Sequence, residues 1–201
     1  MVCAAAMHDL RYPYLRKNMS FKYNACGERP VTPSKMTNIS TSDAELREAL
    51  PSLSIWLYKD LAQQRDLPPL PIAVLYETEP GYGHWVAVLE TPEGIEHFDS
   101  YGLKPDAELA FIPPAYRESF RATAPHLLRL LIKDGRPVNY NQYKLQAGGA
   151  KISTCGRWVV ARCKNKRLTT RQFAEKMAQL ALANSITLDE ATLLIMPPAG
   201  L

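Results

Sequence analysis

The sequence predicts a single α+β domain, and three observations carry that prediction. Short apolar runs separated by glycine- and proline-bearing turns cluster between residues 72 and 99, the pattern of neighbouring strands. The last third carries two capping patterns, Thr169-x-x-Gln172 and Thr187-x-x-Glu190, each placed ahead of apolar residues at helical spacing. The 201 residues show no internal repeat, linker or low-complexity block, and that length suits one domain with a core of its own.

Residues 1 to 40 read as an N-terminal arm, docked on the body or partly ordered, with basic and aromatic residues alternating in Arg11-Tyr12-Pro13-Tyr14-Leu15-Arg16-Lys17. Residues 41 to 201 read as the domain. Ser42-Asp43-Ala44-Glu45 is a capping box that opens a helix running to Ala49, and Pro51 ends it. Leu53, Ile55 and Leu57 alternate as a strand does, and residues 58 to 64 return to helix. Leu67-Pro68-Pro69-Leu70-Pro71 is a stiff connector. Strands are expected at 72 to 76, 85 to 89 and 95 to 99, the last two joined by the turn Thr91-Pro92-Glu93-Gly94. Pro113-Pro114 starts a helical stretch, interrupted at Pro125 and resuming over 127 to 132. Gly135 and Pro137 break it, and residues 138 to 140 form a further strand. In the last third, Phe173, Met177, Leu180 and Ala181 mark the buried face of a helix, and Pro197-Pro198 ends the final one.

Hydrophobic content of 46% and charged content of 22% are ordinary for a globular chain, and a net charge of +4 permits an acidic partner without requiring one. The four cysteines, Cys3, Cys26, Cys155 and Cys163, include no CxxC pair and no histidine at zinc spacing, which argues against a structural metal. Residues 1 to 9 lack the pattern of a signal peptide, and no apolar run reaches membrane-spanning length. A reducing intracellular compartment with free thiols is the expectation.

The chemistry concentrates in three places. Ser153-Thr154-Cys155-Gly156-Arg157-Trp158-Val159-Val160 sets a cysteine at the start of an apolar helix, where the helix dipole favours the nucleophilic thiolate. Gly156 would let the backbone approach a substrate, and the free N–H groups there can receive an oxyanion. Taken singly, the same residues also describe a buried core cysteine. Gly83-His84-Trp85 enters a strand behind a glycine-rich loop, and Asp99 closes the neighbouring strand. A hairpin about 91 to 94 sets His84 across from Asp99 or just beyond it, where a carboxylate can orient an imidazole acting as base. Glu96 and His97 are assigned to the side opposite Asp99, with His97 read as structural or surface. Gln146, nine residues before Cys155 across a glycine-rich loop, is the candidate oxyanion donor, with Gln142 as the second choice. Cys163, two helical turns beyond Cys155, reads as core.

The order Gly83-His84-Trp85, Phe98-Asp99-Ser100-Tyr101-Gly102, Gln146 and Ser153-Thr154-Cys155-Gly156 resembles the adenovirus-type (adenain-like) maturation proteases and the related ubiquitin-like-protein-specific proteases. Papain-like enzymes place the cysteine before the histidine, so chain order discriminates. The resemblance covers roughly residues 50 to 165. The His-to-acid spacing is shorter, and the Gln-to-Cys spacing longer, than is usual in that group. It implies a cysteine protease fold, a central mixed sheet packed with helices and the catalytic cysteine at a helix N-terminus. It also implies a His84, Asp99, Cys155 triad, Gln146 in the oxyanion hole, and Gly83, Trp85 and Gly156 at the substrate. No cofactor is required, although DNA or a peptide is implied as an activator. The basic run Arg157, Arg162, Lys164, Lys166, Arg167 and Arg171 is the candidate nucleic-acid contact, against the alternative of a solvated face. The implied function is endopeptidase processing of capsid or other virion precursors, from a virus or virus-like element, in the reducing interior of a host or packaged in the virion. The alternatives are a deconjugating protease for ubiquitin or a ubiquitin-like modifier, and a non-catalytic scaffold of the same fold.

Overall fold

The computed structural model describes residues 35–149 and 152–198. Within them the chain forms a five-stranded mixed sheet with helices on both faces, an α+β arrangement. The arm expected at 1 to 40 lies mostly outside the described residues, as do Cys3 and Cys26.

A short 3-10 turn at Lys35–Asn38 leads to α1, Asp43–Ala49. The capping box forms as expected, with the Ser42 hydroxyl accepting from Glu45 N–H and the Glu45 carboxylate accepting from Ser42 N–H. β1, Ser54–Leu57, runs into the single helical turn α2, Tyr58–Leu61, and the proline-rich connector returns the chain to β2, Ile72–Glu79. β1 and β2 are parallel, and that crossover is what such pairing requires. β2, β3 (Tyr82–Thr91) and β4 (Gly94–Phe98) form an antiparallel meander, and β5 (Val138–Tyr140) adds to β4 in parallel. All three meander strands were expected, each shifted or lengthened at its ends.

Between β4 and β5 the expected helix at 113 is instead a 3-10 turn, Pro114–Tyr116, followed by turns; regular helix begins at α3, His126–Asp134. Two adjacent prolines start a turn but supply no N–H to continue one. The C-terminal third is α4 (Cys155–Lys164), α5 (Thr170–Asn184) and α6 (Leu188–Ile195), the last two opened by their predicted capping boxes.

Strand alternation sorts the two cores. Leu75, Trp85, Ala87, Leu89 and Phe98 face α4 to α6, where Trp158, Phe173 and Met177 are fully buried. Phe98 and Trp158 both meet Phe173 edge-on. Val74, Tyr76, Val86, Val88 and Ile95 face α2 and α3 on the other side. Because α4 lies between the sheet, α1, α5 and α6, every residue from Cys155 to Cys163 is buried. A helix enclosed on all sides is a rigid mount for whatever stands at its first residue.

Candidate active site

Cys155 is the first residue of α4, so its thiol stands at the positive end of the helix dipole. The thiol meets His84 in a hydrogen bond and also receives the backbone N–H groups of Trp85 and Gly156. Burial would push such a thiol up, but the hydrogen bond and positive charge of His84, with the two N–H groups, hold it below its ordinary value. Cys163, on the same helix, lacks these partners, and burial pushes it up to about 12. It is core, as expected.

His84 Nε2 lies 2.6 Å from Asp99 Oδ1, which leaves Nδ1 for the thiol. The sheet register explains how the residues meet. Ala87 pairs with Phe98, and continuing that ladder would set position 84 opposite 101. His84 therefore stacks on Tyr101, with ring centroids 4.8 Å apart, and reaches Asp99 on the diagonal. Asp99 stands one residue past β4, fully buried, with Oδ1 accepting from Tyr101 N–H and Oδ2 from Leu103 N–H, each at 3.0 Å. Burial pushes its pKa up, and the hydrogen bond and charge of His84 outweigh that, so the carboxylate stays ionised. For His84, burial favours the neutral ring, yet the hydrogen bonds to Asp99 and Cys155 push it up to about 10. Both shifts favour the thiolate–imidazolium form of the pair.

Gln146 is 2% exposed and lines the same cleft as Cys155. Its Oε1 accepts from Ser100 Oγ at 2.7 Å, and its Nε2 donates to Tyr101 Oη at 3.1 Å. Those contacts fix the amide with one N–H spent and the second available to the cleft. Gln142 is exposed and lies outside the cleft lining, so the second choice drops away. Tyr101 touches both His84 and Gln146, a link that the Asp-Ser-Tyr-Gly motif carried without showing its purpose.

The cleft encloses about 1050 Å³ and is lined by Gly83, His84, Trp85, Gln146, Ser153 and Cys155, among others. A Cβ on Gly83 would overlap the Tyr76 carbonyl, so only glycine permits that strand pairing. Gly156 has a different reason from the one its sequence position suggests. A Cβ there would come within 2.6 Å of Thr41 Cβ, so the glycine accommodates the strap at 37–41 rather than a substrate. That strap is pinned by Ser153 N–H to Thr37 O at 2.8 Å, Trp85 Nε1 to Thr41 O at 3.0 Å and Arg157 Nη1 to Ile39 O. The strap and Asp189, described below, were not singled out as functional from the sequence.

Three further assignments are corrected. Arg162 is fully buried and forms a two-pronged ion pair with buried Glu96, at 3.0 and 2.7 Å, so it cannot contact nucleic acid. Arg157 is buried beneath the strap. Lys164, Lys166, Arg167 and Arg171 remain exposed, with Arg171 paired to Glu175. His97 lies two residues from Asp99, an even separation that puts both on one side; it is fully buried beside Glu108 rather than on the surface. Burial pushes His97 down to about 4 and Glu108 up to about 8. Glu96 does face the other way, as expected, toward α4.

Among the described residues no group of His, Cys, Asp or Glu is placed to hold a metal ion, and no helix is long and apolar enough to cross a membrane. No family model matches the chain. An uncharacterized protein of the Sputnik virophage, V9, is 36% identical over 123 residues, spanning 61% of this chain and 70% of the relative. The chain belongs to the family of that virophage protein.

Proposed function

We propose that this protein is a cysteine endopeptidase of the adenain-like kind that processes capsid or other virion precursors. One observation carries the reading: a histidine joins a buried, ionised aspartate to a cysteine at the head of a fully enclosed helix, inside an open cleft. The mixed sheet with the cysteine helix on one face supports the corresponding fold assignment, and kinship with a virophage protein supports the viral setting. A free thiolate nucleophile suits the reducing interior of a host cell, and packaging into the particle would bring enzyme and precursor together.

The reaction is acyl transfer. The Cys155 thiolate attacks the scissile carbonyl carbon, forming a C–S bond while the carbonyl electron pair moves to oxygen. That oxyanion is received by the second N–H of Gln146 and the backbone N–H of Cys155 at the helix start. The intermediate collapses, the C–N bond breaks, and the leaving amine takes its proton from His84. His84, now neutral, removes a proton from water, which attacks the thioester and releases acid product and thiolate. Asp99 keeps the ring oriented and stabilises its charged form throughout.

The test is digestion of a mixed peptide library with the wild type and Cys155→Ala, with and without DNA. Cysteine-dependent internal cuts are the expected result, and stimulation by DNA would place the exposed Lys164, Lys166, Arg167 and Arg171 in the activator contact. Cleavage confined to ubiquitin-like conjugates would make the protein a deconjugating enzyme. No cleavage of either substrate class would overturn the protease reading and leave the scaffold.

A further inference from the structure

Asp189 sits in the first turn of α6, 3% exposed, and makes none of the contacts described so far. Its two carboxylate oxygens serve three donors from two separate segments. Oδ2 accepts from the backbone N–H of Ala147 at 2.9 Å. Oδ1 accepts from the Thr154 hydroxyl and from Trp158 Nε1, the latter at 3.0 Å. Ala147 follows Gln146, and Thr154 precedes Cys155. A single carboxylate from a third element therefore grips the chain directly beside the oxyanion donor and directly beside the nucleophile.

The intervening residues explain why a grip is needed. Gly148 and Gly149 lie between the two points, and Gly149 has φ of 127°, a region open to glycine. Ile152 N–H donates to Gly149 O at 3.1 Å and closes one turn inside the segment, while the Asp189 carboxylate joins its two ends. Thr154 also gives up the usual duty of its position: it is the N-cap of α4, yet its hydroxyl turns to Asp189 and makes no cap bond. The helix start thus forgoes a local capping bond for a long-range tie.

We infer that Asp189 is a positioning residue that sets the spacing between the Gln146 amide and the Cys155 N–H, and so builds the oxyanion hole. The inference rests on the protease reading above. Neither Cys155 nor His84 is hydrogen-bonded to Asp189, so the thiolate–imidazolium pair stands without it. Two measurable properties then separate. Attack on a small alkylating agent needs only the thiolate, whereas amide hydrolysis needs the hole as well.

The experiment compares wild type, Asp189→Asn and Thr154→Val. Asparagine keeps the shape but can accept with one atom only, so either the Ala147 N–H or Trp158 Nε1 loses its acceptor; valine removes the Thr154 end of the tie and keeps the volume. For both variants kcat for a peptide substrate should fall by about 100-fold, the scale of a misplaced catalytic donor, with KM nearly unchanged. Trapping by a peptide aldehyde, whose adduct carries an oxyanion, should weaken by a similar factor. The pH profile of Cys155 alkylation by iodoacetamide should coincide with wild type. Full kcat in both variants would overturn the assignment, and so would alkylation lost in step with kcat, which would mark Asp189 as merely structural. Should Asp189→Asn not fold, Thr154→Val decides alone. Wild type that neither cleaves peptides nor is trapped by the aldehyde would refute the protease reading itself, whereas active wild type beside fully active variants would remove only the role of Asp189.

Discussion

Replacing His84 with alanine separates an activated nucleophile from a buried core cysteine. In the native site, burial of Cys155 works against the thiolate, and the hydrogen bond and charge of His84 are the leading influences that overcome it. His84→Ala removes both and leaves the burial opposed only by the N–H groups of Trp85 and Gly156. The thiol should then titrate higher than the native thiol, which is held below its ordinary value of 9.0. For a group at or above 9, the thiolate fraction at pH 7 is about 1% or less. A more basic thiolate is also intrinsically more reactive, with a Brønsted slope of about 0.4–0.5, which offsets part of that loss at any one pH. The midpoint of the pH profile is therefore the decisive readout. Alkylation by iodoacetamide, quantified at Cys155 by mass spectrometry, should rise with a midpoint below 9 in wild type and at a higher pH in His84→Ala. Peptide hydrolysis adds the upper limb. Because the His84 ring is held protonated up to about 10, activity should fall as pH rises through that value and the leaving amine loses its acid. Coincident alkylation profiles for wild type and His84→Ala would refute the ion-pair argument.

Asp99→Asn should remove the charge that keeps His84 protonated, bringing the upper limb down from about 10 toward the ordinary histidine value of 6.5 and lowering kcat by about 100-fold or more, read from a pH–rate series. Gln146→Ala should lower kcat by about 100- to 1,000-fold with alkylation unchanged, whereas Gln142→Ala, altering an exposed side chain, should leave peptide kinetics as they are. Arg162→Met leaves the Glu96 carboxylate buried opposite an apolar side chain, with the Thr170 hydroxyl its one remaining hydrogen-bond donor among the described residues, and should destabilise the fold by about 3–5 kcal/mol in urea denaturation. If Arg162 instead served nucleic acid, that variant would lose DNA affinity at unchanged stability.

Local signals were legible in the sequence because they act over a few residues. The capping boxes at Ser42, Thr169 and Thr187, the strand runs about 72 to 99 and the helix start at Cys155 each depend on neighbours no more than four positions away, and each formed. The chain order of His84, Asp99, Gln146 and Cys155 likewise needed no coordinates to suggest one chemistry. Lone side chains were less readable. Arg162 looked like part of a basic surface, since nothing local announces that Glu96, on a strand 66 positions away, will neutralise it in the core. Gly156 looked like an allowance for substrate until Thr41 came to lie against it. Nothing local sets Asp189 apart, since the helix dipole favours an acid in a first turn regardless of partner. Burial and long-range pairing are properties of the packed molecule: which face of a helix is covered, and by what, is decided when α4 is enclosed by the sheet, the strap and α6. Sequence spacing picked out the residues proposed to carry the chemistry, and tertiary packing decided which of their neighbours hold them in place.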